Sequence, residues 1–187
     1  QIPAGKLEEV MRLESDRFAN NAWPDEEFNK EIQVIKEERR MRTDDNPRSG
    51  LMEQLNAATW QASPYHRPVV GWMGDLDSMR AQDARDFHQA WYVPANAVVV
   101  VAGDVDVEKT RQLAEKYYGS IPAQALPERK PRPEPLQKGM RRVDFKAPAE
   151  QAYVLMSFKV PNLRRLVQPA AADQDAMALM MLSQVLS

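Results

Sequence analysis

Residues 96–103 read Asn-Ala-Val-Val-Val-Val-Ala-Gly. Valine is stiff at χ1 and favours extended backbone. Four in a row leave no polar alternation, so neither face of the segment can be left to water. The run predicts a strand buried on both sides. Such a strand needs partners for its N–H and C=O groups and helices to cover it. Two further apolar stretches, Met140–Lys146 and Ala152–Val160, read as strands of a hairpin around Ala147-Pro148-Ala149-Glu150.

Most of the remaining chain carries helical periodicity. Leu7, Val10, Met11 and Phe18 mark an amphipathic helix over 7–22. Trp23-Pro24-Asp25 is a turn. A second helix runs to about Thr43, with Asp25–Glu27 at its N-terminus, where the helix dipole favours negative charge. Asp44-Asp45-Asn46-Pro47 stops it, because Pro47 disfavours helical geometry at Asn46. A third helix spans about Arg48–Trp60. The loop Gln61–Gly74 holds Pro64, Pro68, Gly71 and Gly74, and the large side chains in and beside it, Trp60, Tyr65, His66 and Trp72, suit packing onto the body. A fourth helix, about Ala81–Tyr92, is expected to point Phe87 and Trp91 inward. Asp106 is a candidate N-cap for a helix over Val107–Tyr118, closed by Gly119. The last helix, Asp173–Leu186, is apolar enough to expect cover on more than one side.

Five prolines fall between Pro122 and Pro135, among charges. This composition reads as a semi-rigid linker over 125–139. It divides the chain into a first domain, 1–124, and the start of a second, 140–187. The formal net charge of −2 gives no electrostatic case for nucleic acid. There is no cysteine, which excludes disulfides and thiolate chemistry. No apolar run reaches the ~20 residues that span a bilayer. The start, Gln-Ile-Pro-Ala-Gly, carries neither an initiator Met nor a signal pattern, and reads as internal to something longer.

Candidate chemistry is sparse. His66 lies in the Pro-bounded loop and His88 on the fourth helix; an isolated His is more often packed or solvated than a ligand. Asp104 and Asp106 flank the end of the valine run, where turn and cap are the simpler roles. No H-E-x-x-H, H-x-x-E-H, G-x-S-x-G or Gly-rich phosphate loop occurs. The stretch Glu31–Arg42 is the exception of interest. Glu31 and Glu38 stand two turns apart and return to nearly one direction, beside the apolar stripe Phe28, Ile32 and Ile35. Both should sit half in the core, with Glu37 facing water. Spacing alone fits a solvated helix with a Glu38–Arg42 pair, or a helix lending a carboxylate to a metal.

The order of segments is more specific than any one of them. EIQVIKEERRMRTDDNP is followed by ASPYHRPVVGW, then DARDFHQAWYVPANAVVVVAGDVD, then EKYYGSIP. Together they resemble the insulinase/pitrilysin family of zinc metallopeptidases, which includes the mitochondrial processing peptidases. Tyr92, Pro94, Asn96, Ala97, Gly103 and Asp104 carry one recognisable run; Pro64, Tyr65, Pro68 and Gly71 carry another.

The resemblance implies an α+β fold with helices packed on a mainly antiparallel sheet, LuxS/processing-peptidase-like and incomplete in this chain. It implies a zinc-dependent endopeptidase whose inverted H-x-x-E-H motif supplies two ligands and the general base. Glu38 matches the third zinc ligand, and Glu31 the acidic residue that supports the site. The His pair is expected upstream of Gln1, so the chain is expected to be inactive as given and to bind no Zn²⁺ itself. The alternative is a fragment of a non-catalytic homologue, a partner subunit or peptide-binding module. Expected partners are a peptide or protein substrate, a second copy or a paralogous subunit. The expected location of the longer protein is the bacterial periplasm or its membrane surface.

Overall fold

The structure is a computed structural model that describes residues 1–163, 168 and 170–186. Seven α-helices are seen among these residues: α1 Leu7–Asn20, α2 Asp25–Arg39, α3 Pro47–Thr59, α4 Met73–Ser78, α5 Ala81–Trp91, α6 Val107–Tyr117 and α7 Ala171–Leu186. A π-helical turn, Arg40–Asp44, extends α2. The chain divides into two compact units. One comprises Gln1–Met41 and Val69–Arg132; the other comprises Arg42–Pro68 and Pro133–Ser187.

In the first unit, Phe28, Ile32, Leu76 and Ala81 form a buried cluster, with Ile35, Val70 and Ala84 packed against it. This is the apolar stripe of α2 closing on α4 and α5. Lys36 Nζ reaches Asp77 Oδ1 at 2.9 Å and ties α2 to α4. The entry to α2 is strained. Trp23 has φ +39°, a left-handed geometry that costs a bulky residue about 1–3 kcal/mol. Arg85 holds it there: Nη1 donates to the Trp23 carbonyl and to Asp25 Oδ1, each at 2.8 Å. α1 meets α6 through Glu8, whose Oε1 accepts from Lys116 Nζ at 2.9 Å and from the Tyr117 hydroxyl at 3.0 Å. These contacts hold the Glu8 carboxyl below the usual range, Lys116 first.

In the second unit, Asn46 Oδ1 caps α3 by accepting from the Ser49 N–H at 3.0 Å, and Pro47 opens the helix where its missing N–H costs nothing. The Phe145 ring lies on Gly50; a Cβ there would stand 2.8 Å from Cζ and would push the ring aside.

The expected α+β class does not hold: there is no strand among the described residues. Residues 97–102 have no backbone ladder, and Val98 is 88% exposed, with Val99 and Val100 also exposed. The expected hairpin forms no ladder either, and Met140, Val154, Met156 and Phe158 are exposed. β-propensity describes fit to a half-buried pleated surface. With no such surface among the described residues, the valines remain unpaired. The helical readings fare better, except that Phe87 is exposed on α5 while Ala81 and His88 face inward. Their i, i+7 spacing sets the buried stripe, and Phe87 lies roughly 100° off it. The expected cover of α7 is absent among the described residues: only Asp173 and Ala176 are buried on it.

Candidate functional site

The candidate metal-ligand residues lie on α2. Its core-facing residues, Phe28, Ile32 and Arg39, are buried. Glu38, next to Arg39, is half-buried at the edge of this face. Glu37 is exposed and ion-pairs with Arg40, as its helical phase requires. Glu31 is exposed, not half-buried as expected. It lies about 10 Å from Glu38 along the helix axis, between the buried Phe28 and Ile32 in sequence but roughly 100° around the helix from Ile32, which turns it off the covered stripe.

Arg39 anchors the C-terminal end of α2. Its Nη1 donates to the Gly71 carbonyl at 2.9 Å, and its guanidinium carbon lies 5.9 Å from the Trp72 ring centroid. Gly71 has φ +96°, so only glycine presents its carbonyl this way without strain. Gly71 and Trp72 are thereby fastened to the helix that carries Glu38.

The other candidates do not converge on Glu38. His66 Nδ1 is 2.6 Å from the Ser63 carbonyl oxygen, a local turn contact. His88 is buried, stacked on Tyr92 at 4.6 Å between centroids and edge-on to Trp23 at 4.8 Å; its Nε2 has no hydrogen-bond partner among the described residues. Asp106 Oδ1 accepts from the Lys109 N–H at 2.7 Å and caps α6 as its position predicts. Asp104 is exposed.

Among the described residues, no three His, Cys, Asp or Glu side chains gather as metal ligands. A catalytic zinc takes three protein donors and a water. Glu38 offers one, so these residues do not fit a zinc ion by themselves.

Sequence reasoning missed a groove of about 910 Å³ in the first unit, lined by Phe18, Trp23, His88, Trp91 and Tyr92. Arg129 borders it, 5.3 Å over the Trp91 ring. The signal was present in the F-H-x-x-W-Y spacing of α5, which stacks ring on ring one turn apart. No helix among the described residues is long and apolar enough to cross a membrane.

Residues 78–187 match the family model described as "Peptidase M16 inactive domain". The chain is 32% identical over 169 residues to the zinc protease PqqE of Helicobacter pylori, covering 88% of this chain and 38% of that protein. The crystal structure of a protease from Helicobacter pylori superposes with a TM-score of 0.65 at 31% identity, over 70% of this chain and 32% of that one. The periplasmic protease PqqL from Escherichia coli shares the fold at 22% identity, TM-score 0.61, over 71% of this chain and 14% of that one. The match thus spans 38% of the length of the Helicobacter zinc protease. Its relatives are zinc proteases, and it carries no H-x-x-E-H or H-E-x-x-H motif of its own. Matched by the family model over more than half its length, this chain belongs to the peptidase M16, or insulinase/pitrilysin, family.

Proposed function

We propose that this chain is part of a zinc metalloendopeptidase, to which it contributes Glu38 as one metal ligand and Glu31 as a carboxylate supporting the site. The remaining ligands come from an H-x-x-E-H segment that these 187 residues do not contain. By itself the chain hydrolyses no peptide bond. The observation that carries this reading is the placement of α2: Glu38 is half-buried beside Arg39, at an end of the helix pinned to the Gly71 carbonyl. A ligand carboxylate needs a fixed backbone behind it. The substrate is a peptide or protein, in keeping with the relatives' names. Residues 1–124 belong to a first peptidase-like domain and 140–187 to a second, joined by 125–139. The periplasm is the proposed compartment, supported by the fold shared with a periplasmic protease.

The description of residues 78–187 as an inactive domain favours a second reading, a non-catalytic homologue acting as a partner subunit. One experiment separates the two. In the full-length protein, metal content and peptide cleavage are measured for Glu38→Gln, Glu31→Gln and Glu37→Gln. Glu38→Gln is expected to lose both together. Glu31→Gln should retain most of the metal and lose cleavage by roughly 10–100-fold. A full-length protein that binds no zinc supports the partner reading. Damage confined to Glu37→Gln defeats the assignment of Glu38.

A further inference from the structure

Within the second unit, the proline-rich segment is fastened at two points to the C-terminal end of α3. The first is a carboxylate in a cradle of amides. Glu134 Oε2 accepts from the N–H groups of Ala62 at 2.8 Å, Ser63 at 2.9 Å and Gln61 at 3.1 Å. Its Oε1 accepts from the Gln61 N–H at 2.9 Å and from Lys159 Nζ at 2.6 Å. Three successive amides aimed at one point form an anion-binding concavity. The side chains of Glu134 and Lys159 are 16% and 21% exposed. Lys159 lies over the Trp60 ring, 5.2 Å from its centroid.

The second point has the opposite polarity. Arg141 Nη1 donates to the carbonyl oxygens of Ala58 at 2.7 Å and Thr59 at 3.2 Å. These are among the last carbonyls of α3, which a helix leaves without internal partners. An acid therefore takes the amides that follow the helix, and a base takes the carbonyls that end it. Six residues lie between the two, and Lys138 and Gly139 among them are exposed.

We propose that residues 133–142 are a strap rather than a free linker, closed on the α3–loop junction by Glu134 and Arg141, with the Glu134 carboxylate as its release point. The strap is what holds the turn at Gln61–Ser63, and with it the loop that carries Tyr65 and His66, in one conformation. Lys159 and the three amides hold the Glu134 carboxyl far below the usual range, consistent with an anion bound on several sides. Without that carboxylate, three amides lose their acceptor at once and the strap keeps only its Arg141 end.

The test uses the 187-residue chain, with amide exchange and limited trypsin cleavage at Lys138. Glu134→Ala is expected to accelerate exchange at Gln61, Ala62 and Ser63 by tenfold or more, and to speed cleavage after Lys138 severalfold. Amides of α1 and α2 should be unchanged. Unaltered exchange at the three amides, or unaltered cleavage at Lys138, overturns the proposal. Should Glu134→Ala accelerate every amide alike, the isosteric Glu134→Gln decides. Acceleration confined to Gln61–Ser63 supports the strap, and exchange equal to that of the unmodified chain overturns it.

Discussion

The guanidinium of Arg39 donates to the carbonyl oxygen of Gly71 at 2.9 Å, across thirty-two positions of sequence. The contact joins the end of α2 to a loop whose backbone turns there with positive φ. A hydrogen bond from a buried charged group contributes about 1.5–3 kcal/mol. Arg39→Met keeps an unbranched apolar stem and loses the donor. It is expected to lower unfolding free energy by about 2 kcal/mol in a urea titration. A midpoint equal to that of the unmodified chain would show that the contact anchors nothing.

Zinc titration of the 187-residue chain in a calorimeter is expected to show no stoichiometric sub-micromolar site. Glu38 is one donor, and a zinc site draws its affinity from several. A tight site that disappears in Glu38→Ala would defeat this expectation.

Two apolar truncations should differ sharply. Leu76 is 3% exposed in the core against Phe28 and Ile32, so Leu76→Ala should cost about 2–5 kcal/mol. Val100 is 81% exposed, and Val100→Thr should fall within about 0.5 kcal/mol of neutral. Paired thermal melts check both. A large loss at Val100 would mean that the valine run is core after all.

This contrast also marks where the sequence was readable. The helices were legible because their signals are local. Asp106 caps α6 and Asn46-Pro47 opens α3 through bonds within four residues of each cap. Glu37 and Glu38 took the exposures that helical phase assigns them, whereas Glu31 is exposed although the residues flanking it along the stripe, Phe28 and Ile32, are buried. The valines misled because a strand is a property of a pair, and composition cannot state whether the partner is present. Arg39, Glu134 and Arg141 were not foreseen for a related reason: each acts on a backbone group far away in sequence, and a carbonyl or an amide leaves no mark in the residue code.

Acid should weaken the strap in a defined window. A carboxyl held below its ordinary range in the folded chain contributes stability that is complete above the unfolded value, near 4.3, and declines as pH falls through the folded one. The Lys159 ammonium, followed by the amides of Gln61, Ser63 and Ala62, sets this direction at Glu134. The urea midpoints of the unmodified chain and Glu134→Gln should therefore differ by a constant amount above about pH 5 and converge below about pH 4. A gap that widens on acidification would reverse the assigned sign.

The division of the chain into interleaved units has a consequence for how it is made. Residues 42–68 leave the ribosome before residues 69–132 and well before 133–187, which supply the carboxylate for the Gln61–Ser63 amides and the ring that covers Gly50. At about 5–20 residues per second, α3 and its loop wait on the order of several seconds for the segment that completes them. During that interval the Gly50 face of the helix is uncovered. The unit closes only late in synthesis, across a long intervening loop whose entropic cost grows slowly with its length. Nascent chains are thus most open to chaperones, and to proteolysis, while residues 69–132 are being added.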